Sequence, residues 1–252
     1  SLVDASKGEI ILTANDMELG ITTTIVGDIE ENGKIALNAK LFSEIIRKLP
    51  DNNVTIETDE YYKAHITCEK AKYDISGKSG EDFPEFPDVE KENAFVSSQF
   101  DLRNMITQTI FSISDNENNK MMTGESIIIA NDKLRIASLD GHRISIRHVS
   151  LKEHSDNQAN IVVPGKTLND ISKIVTGNVY DDVTIYITEN TVLFEYDRTR
   201  IVSRLIEGDY FNIDQMLMDD YQTKIEINKK ELLSSIDRST LLVRDSDSKP
   251  II

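Results

Sequence analysis

Apolar and polar residues alternate through much of the chain. "KAHITCE" (63–69), "KYDIS" (72–76), "SIIIAN" (126–131), "KLRIAS" (133–138), "HRISIRHVS" (142–150), "NTVLFEYD" (190–197) and "RIVSRLI" (200–206) are short runs bounded by turn residues. A period of two predicts half-buried strands joined by tight connections. Four segments break that rhythm with apolar residues three and four apart: 38–50, 98–114, 164–177 and 228–244. These are predicted amphipathic helices. The class is α+β, with mainly antiparallel sheets and two helices per repeated unit.

The repeat shows in the helices first. "NAKLFSEIIRKLP" (38–50) lies on "PGKTLNDISKIVT" (164–176) at an offset of 126, with Lys40, Glu44 and Arg47 on Lys166, Asp170 and Lys173. Phe42, Ile45 and Leu49 fall on Leu168, Ile171 and Val175, and a strand follows each helix, "VTIET" (54–58) or "VTIYI" (183–187). "EDFPEF" (81–86) falls on "GDYFNI" (208–213), and "ILTANDMEL" (11–19) matches "IASLDGHRI" (136–144) loosely, with Asp16 placed on Asp140. A third copy opens with "IEINKKELLSSIDRSTLLVRD" (225–245), which lies on 95–115, putting Leu232, Ile236 and Leu241 on Leu102, Ile106 and Phe111. A unit of about 127 residues is domain-sized and too long for a solenoid repeat. The expected domains are 1–93, without an opening strand and first helix, 94–222, complete, and 223–252, the start of a third.

The net charge of −16 argues against a nucleic-acid partner only if it is evenly spread. The four helices carry ten cations (Lys40, Arg47, Lys48, Arg103, Lys166, Lys173, Lys229, Lys230, Arg238, Arg244) against five acids (Glu44, Asp101, Asp170, Glu231, Asp237). Their net is +5, which leaves −21 for the rest. Helical cations are commonly just solvated, but a stripe repeated in two copies points to basic helices on an acidic body.

"LDGHR" (139–143) has the residue types of a hydrolase, yet no nucleophile or metal-ligand spacing accompanies it among the four histidines, His65, His142, His148 and His154. Asp140 and Gly141 are read instead as a turn. The single cysteine, Cys68, sits in a strand pattern, excludes an internal disulfide and fits a reducing compartment. No apolar run reaches the ~18 residues of a membrane span. The acidic connector "DVEKE" (88–92) and the loop "SDNENNK" (114–120) are read as solvated. The chain starts with Ser1 inside a strand pattern, as a piece of a longer protein would.

Together "LDGHRIS", "ANDMEL", "DFPEFP" and "VVPGKTLNDISKIV", in register with the repeat, resemble the bacterial sliding clamps, the beta subunit of DNA polymerase III. The resemblance covers essentially the whole chain. It implies a non-catalytic, cytoplasmic protein of three similar domains per subunit, needing no cofactor or metal. Two subunits join head to tail in a ring whose helices face duplex DNA and whose sheets form the outer wall, giving the polymerase processivity. DNA polymerase subunits, clamp loader and repair proteins dock short peptides in a groove. On this sequence the resemblance makes Lys40, Arg47, Lys48, Arg103, Lys166, Lys173, Lys229, Lys230 and Arg238 DNA-facing, with Lys120 an additional candidate. It assigns the groove to Leu139, Gly141, His142, Arg143, Ile144, Phe211, Gln215 and Met216. The chain departs from the family at Leu139 (usually threonine), Phe211 (usually proline), and Asp214 and Gln215 (often basic). With most of a third domain lacking, this chain is not expected to close a ring. Residues 223–252 are expected to be mobile, and DNA affinity no better than ~10⁻⁴ M. An acidic, β-rich protein-interaction scaffold without DNA binding is the alternative reading.

Overall fold

A computed structural model describes residues 1–217 and 220–240; the tail of the fourth predicted helix, with Leu241 and Arg244, lies outside them. The chain divides into two compact units, Ser1–Tyr210 and one starting at Phe211. The first unit opens with β1 (Leu2–Asp4), β2 (Ile10–Asn15), β3 (Leu19–Ile25), β4 (Lys34–Ala36), α1 (Ala39–Lys48), β5 (Thr55–Thr58), β6 (Lys63–Cys68), β7 (Ala71–Ser76) and β8 (Lys78–Ser79). It continues with β9 (Phe95–Ser98), α2 (Gln99–Thr107), β10 (Gly124–Ala130), β11 (Lys133–Leu139), β12 (Ile144–Ser150), β13 (Ala159–Pro164), α3 (Gly165–Ile174), β14 (Asp182–Ile187), β15 (Thr191–Tyr196) and β16 (Thr199–Arg204). The second unit holds α4 (Lys229–Thr240).

The repeat is visible in the pairing. β3-β2-β1-β4 has the same antiparallel order as β12-β11-β10-β13. β5-β6-β7 corresponds to β14-β15-β16, but β14 has β9 on its other side, whereas among the described residues no strand pairs with the outer edge of β5. α2 packs beside α3, and no described helix holds that place beside α1. The consequence for burial is direct. In α3 Leu168 and Ile171 are fully buried, with Val175 just beyond its end; in α1 Ile45 alone is buried, and not completely, while Leu41 and Ile46 are exposed.

Helix ends follow local chemistry. The Asn38 side chain accepts from Leu41 N at 3.0 Å and starts α1, as an N-cap asparagine does. Leu49, held extended before Pro50, stops it. The segment 98–114 is not one helix. α2 stops at Thr107 and a separate 3₁₀ turn spans Ile110–Ser112. Between them Thr109 turns its hydroxyl back onto the carbonyls of Met105 (2.8 Å) and Ile106 (3.3 Å). A β-branched hydroxyl bonding its own helix in this way competes with the helical ladder.

The two copies are joined by backbone. β3 pairs antiparallel with β16, Ile21 against Ile201 and Thr23 against Thr199, making one nine-stranded sheet through both. The Thr23 and Thr199 hydroxyls meet at 2.9 Å. The connector between the copies straps this seam: Val89 is buried with Leu193 and Val202, and Phe86 packs against them. Lys91 reaches Glu195 at 2.6 Å, so the run 88–92, expected to be solvated, is docked at Val89 and Lys91. It has no apolar periodicity to announce this, because it follows the sheet as a single strap. Gly20 lets Phe86 approach the seam closely, since a Cβ there would stand 3.1 Å from the Phe86 ring.

Gly20→Val is therefore expected to cost about 1–3 kcal/mol by overpacking Phe86, read as a lower urea midpoint at constant slope. An unchanged midpoint would show that the Phe86 ring is free to swing away.

Candidate functional site

The predicted DNA-facing cations are on helices and exposed. Lys40, Arg47 and Lys48 lie on α1, Arg103 on α2, Lys166 and Lys173 on α3, and Lys229, Lys230 and Arg238 on α4. Lys120 is exposed in a 3₁₀ turn, Lys120–Thr123. Two are held by carboxylates: Lys173 by Asp170 at 3.0 Å, one helical turn away, and Lys166 by Asp16 at 3.2 Å, across the seam between copies. Both pairs face solvent, where an ion pair contributes little, so a phosphate competes readily for these ammonium groups. Arg238 donates to Ser234 and Ser235 on its own helix. α4 is started by Asn228, whose side chain accepts from Lys230 N at 2.9 Å, and it exposes Leu232, Leu233 and Ile236.

Asp16 and Asp140 make the same turn in the two copies. Asp16 Oδ1 accepts from Glu18 N and Leu19 N, at 3.1 and 2.7 Å. Asp140 Oδ1 accepts from His142 N and Arg143 N, at 2.9 and 3.1 Å. Asn15 faces Gly20 and Leu139 faces Ile144, so the four-residue loops superimpose at an offset of 124, with Met17 on Gly141, both at positive φ. The Asp16 carboxyl is held below the usual range first by Leu19 N–H, and that of Asp140 by His142 N–H. Lys166 is pushed up, chiefly by its bond to Asp16.

This turn disposes of Asp140 as a free acid–base group, for its second oxygen takes Arg143 Nε at 2.8 Å. Gly141, His142 and Arg143 are exposed and Ile144 half-buried. Leu139, expected in the groove, is buried at 2 % exposure; β11 alternation puts it on the face of Arg135 and Ala137, opposite the core residues Leu134 and Ile136. Phe211, Gln215 and Met216 belong to the second unit, in and beside the 3₁₀ turn Ile213–Gln215.

One group was not anticipated. Glu125 on β10 has the same inward parity as the core residues Ile127 and Ile129 and is completely buried. Neither carboxyl oxygen has a hydrogen-bond donor. Thr109 is close enough to influence it, but the Thr109 hydroxyl already donates to Met105 O, which leaves only lone pairs for Glu125. Burial pushes the Glu125 pKa up to about 8, the direction expected where the charged form loses its water. Next to it Tyr210, its hydroxyl 3.4 Å from Gly124 O, is pushed up to about 12, first by burial. The inward position of an acid in "GESIIIA" was the signal in the sequence.

Comparison with known proteins follows this geometry. The profile described as DNA polymerase III beta subunit, N-terminal domain, matches residues 2–87, and the central-domain profile matches residues 97–212. The beta sliding clamp of Staphylococcus epidermidis is 32% identical over 257 aligned residues, spanning 99% of this chain and 68% of that protein. A crystal structure of a putative DNA polymerase III beta subunit from Eubacterium rectale is 61% identical, with a TM-score of 0.91 over 97% of this chain and 67% of its own. The DNA polymerase sliding clamp of Bacillus subtilis is 33% identical, with a TM-score of 0.90 over 100% of this chain and 70% of its own.

The carboxyl buried in β10 sets a pH dependence. A folded pKa near 8 above an ordinary unfolded value means that the folded state binds the extra proton between about pH 4.5 and 8. Stability from this group is complete below that window and declines across it as pH rises. Glu125→Val is therefore expected to raise stability at pH 8 by roughly 1–3 kcal/mol, with the advantage disappearing toward pH 4.5. Thermal unfolding at the two pH values measures this, and an equal effect at both would contradict it.

Proposed function

The chain belongs to the beta sliding clamp family, a non-catalytic subunit of DNA polymerase III, and from that premise we propose that it is the first two domains and the start of the third of a clamp that encircles duplex DNA. The observation that carries this is the seam. β3 and β16 join copy one to copy two, and their counterparts β12 and β7 each have only one partner strand among the described residues. A third copy using the same pairing continues from β12, and a second subunit meets β7. A head-to-tail contact whose rotation closes makes a ring.

In that ring α1, α2 and α3, with Lys40, Arg47, Lys48, Arg103, Lys166 and Lys173, line the hole. Lys229, Lys230 and Arg238 on α4 are assigned to the third domain's share of it. Phosphate contacts carry no sequence information and allow sliding. The Lys166–Asp16 and Lys173–Asp170 pairs keep each contact weak. The proposed domain boundaries are near 93 and 222, and no helix among the described residues is long and apolar enough to cross a membrane.

The exposed turn Gly141–His142–Arg143 with Ile144 is the proposed docking point for short peptides of polymerase and other replication proteins. The turn is rigid, because Asp140 holds two of its amides, so little ordering entropy is lost on binding.

Loading of the complete clamp onto nicked circular DNA tests the ring. With Lys166 and Lys173 reversed to Glu, processive synthesis is expected to fall and the salt dependence to change by about one unit of slope per lost contact. Unchanged processivity at every salt concentration would remove the helices from the DNA path. Arg143→Ala is expected to weaken a fluorescent short hydrophobic peptide about tenfold from a micromolar starting affinity. Equal binding would move the docking site elsewhere.

A further inference from the structure

Glu125 lies directly behind the turn that carries Gly141–Arg143. One step beyond the Ser126–Ala137 pair, Glu125 on β10 faces Ser138 on β11, and Ser138 in turn pairs with Ser145 on β12. Ser138 and Ser145 are the residues immediately outside Leu139 and Ile144, so this polar row is the foot of the turn. It is also where the segment following α2 docks. Ser138 Oγ donates to Thr109 O at 2.6 Å, and the Ser112 and Ser145 hydroxyls meet at 2.7 Å.

The protons of this row are already committed. Thr109 Oγ donates to Met105 O and Ser138 Oγ to Thr109 O, while Tyr210 reaches Gly124 O. A carboxylate at Glu125 would find no donor, whereas a neutral carboxyl can donate to the Thr109 hydroxyl. Among the groups packed here (Thr109, Ser112, Ser138, Val163 and Tyr210) only the Tyr210 phenol titrates, and no cation among the described residues compensates Glu125.

We propose that Glu125 is a positioning residue for the partner-binding turn. As the neutral acid it lets the Ser138–Thr109 and Ser112–Ser145 bonds close beneath residues 139–144. As the carboxylate it draws water into the row and loosens both the turn and the 107–113 segment. The position of the docking turn is thereby tied to proton occupancy and to the end of α2. This rests on residues 139–144 being the docking turn.

Amide hydrogen exchange on the 252-residue chain tests it. Wild type, Glu125→Gln and Glu125→Val are compared at pH 7 and pH 9, each corrected for intrinsic exchange. In the wild type, protection over 107–113 and 138–146 is expected to fall about tenfold at pH 9, one unit above the buried acid. Both variants are expected to hold their protection, and β14–β16 to be unaffected in all three. Parallel behaviour of wild type and variants overturns the proposal, as does a loss spread evenly over the first unit. Either result is independent of the Arg143→Ala peptide measurement, so the joint and the docking site fail separately.

Discussion

Strand edges are the constraint on which this structure depends. An unpaired edge presents a row of backbone donors and acceptors that must find partners in protein or water. Here one edge of each copy is answered by the next copy, β3 by β16, so the sheet runs on through the boundary. Everything else at the boundary serves that ladder. Gly20 admits the Phe86 ring, the connector covers Leu193 and Val202, and Lys166 reaches back to Asp16. Units joined through backbone hydrogen bonds hold a fixed angle.

The same geometry sorts charge. α1 and α3 follow the strands in the same place in the two copies, so the cation stripe repeated in sequence lies on equivalent helices. Acids dominate the remainder, as the −16 net charge demands. The cations are not left bare, since Asp16 and Asp170 occupy two of them at 3.2 and 3.0 Å. Exposed pairs of this kind exchange partners cheaply, which suits the proposed sliding contact.

Against this economical exterior the interior of the second copy contains an expensive group. Burying an acid without a donor costs more than any apolar residue at the same position would. Glu125 occupies a core position between Gly124, whose carbonyl faces Tyr210, and the run Ile127–Ile129. Its neighbours are hydroxyls belonging to the foot of the 139–144 turn, so its cost falls at the place where that turn is anchored.

Much of this was legible in the residues alone. Period-two alternation identified the strands and helical spacing the four helices, because each pattern reports one buried face. The repeat of helix and turn residues led to the family resemblance, because equivalent positions in equivalent folds face the same solvent or core. The residues did not show that α2 ends at Thr107, since the hydroxyl that stops it sits in an otherwise helical pattern. Nor did they show that Leu139 is buried or that Val89 and Lys91 dock on the seam, because these depend on which strand or segment lies opposite. The partner of Lys166 is 150 residues away in sequence, and Glu125 looks like any polar residue until register sets it in line with Ile127 and Ile129. Local periodicity determines elements; long-range pairing alone decides which side chains share a dry space.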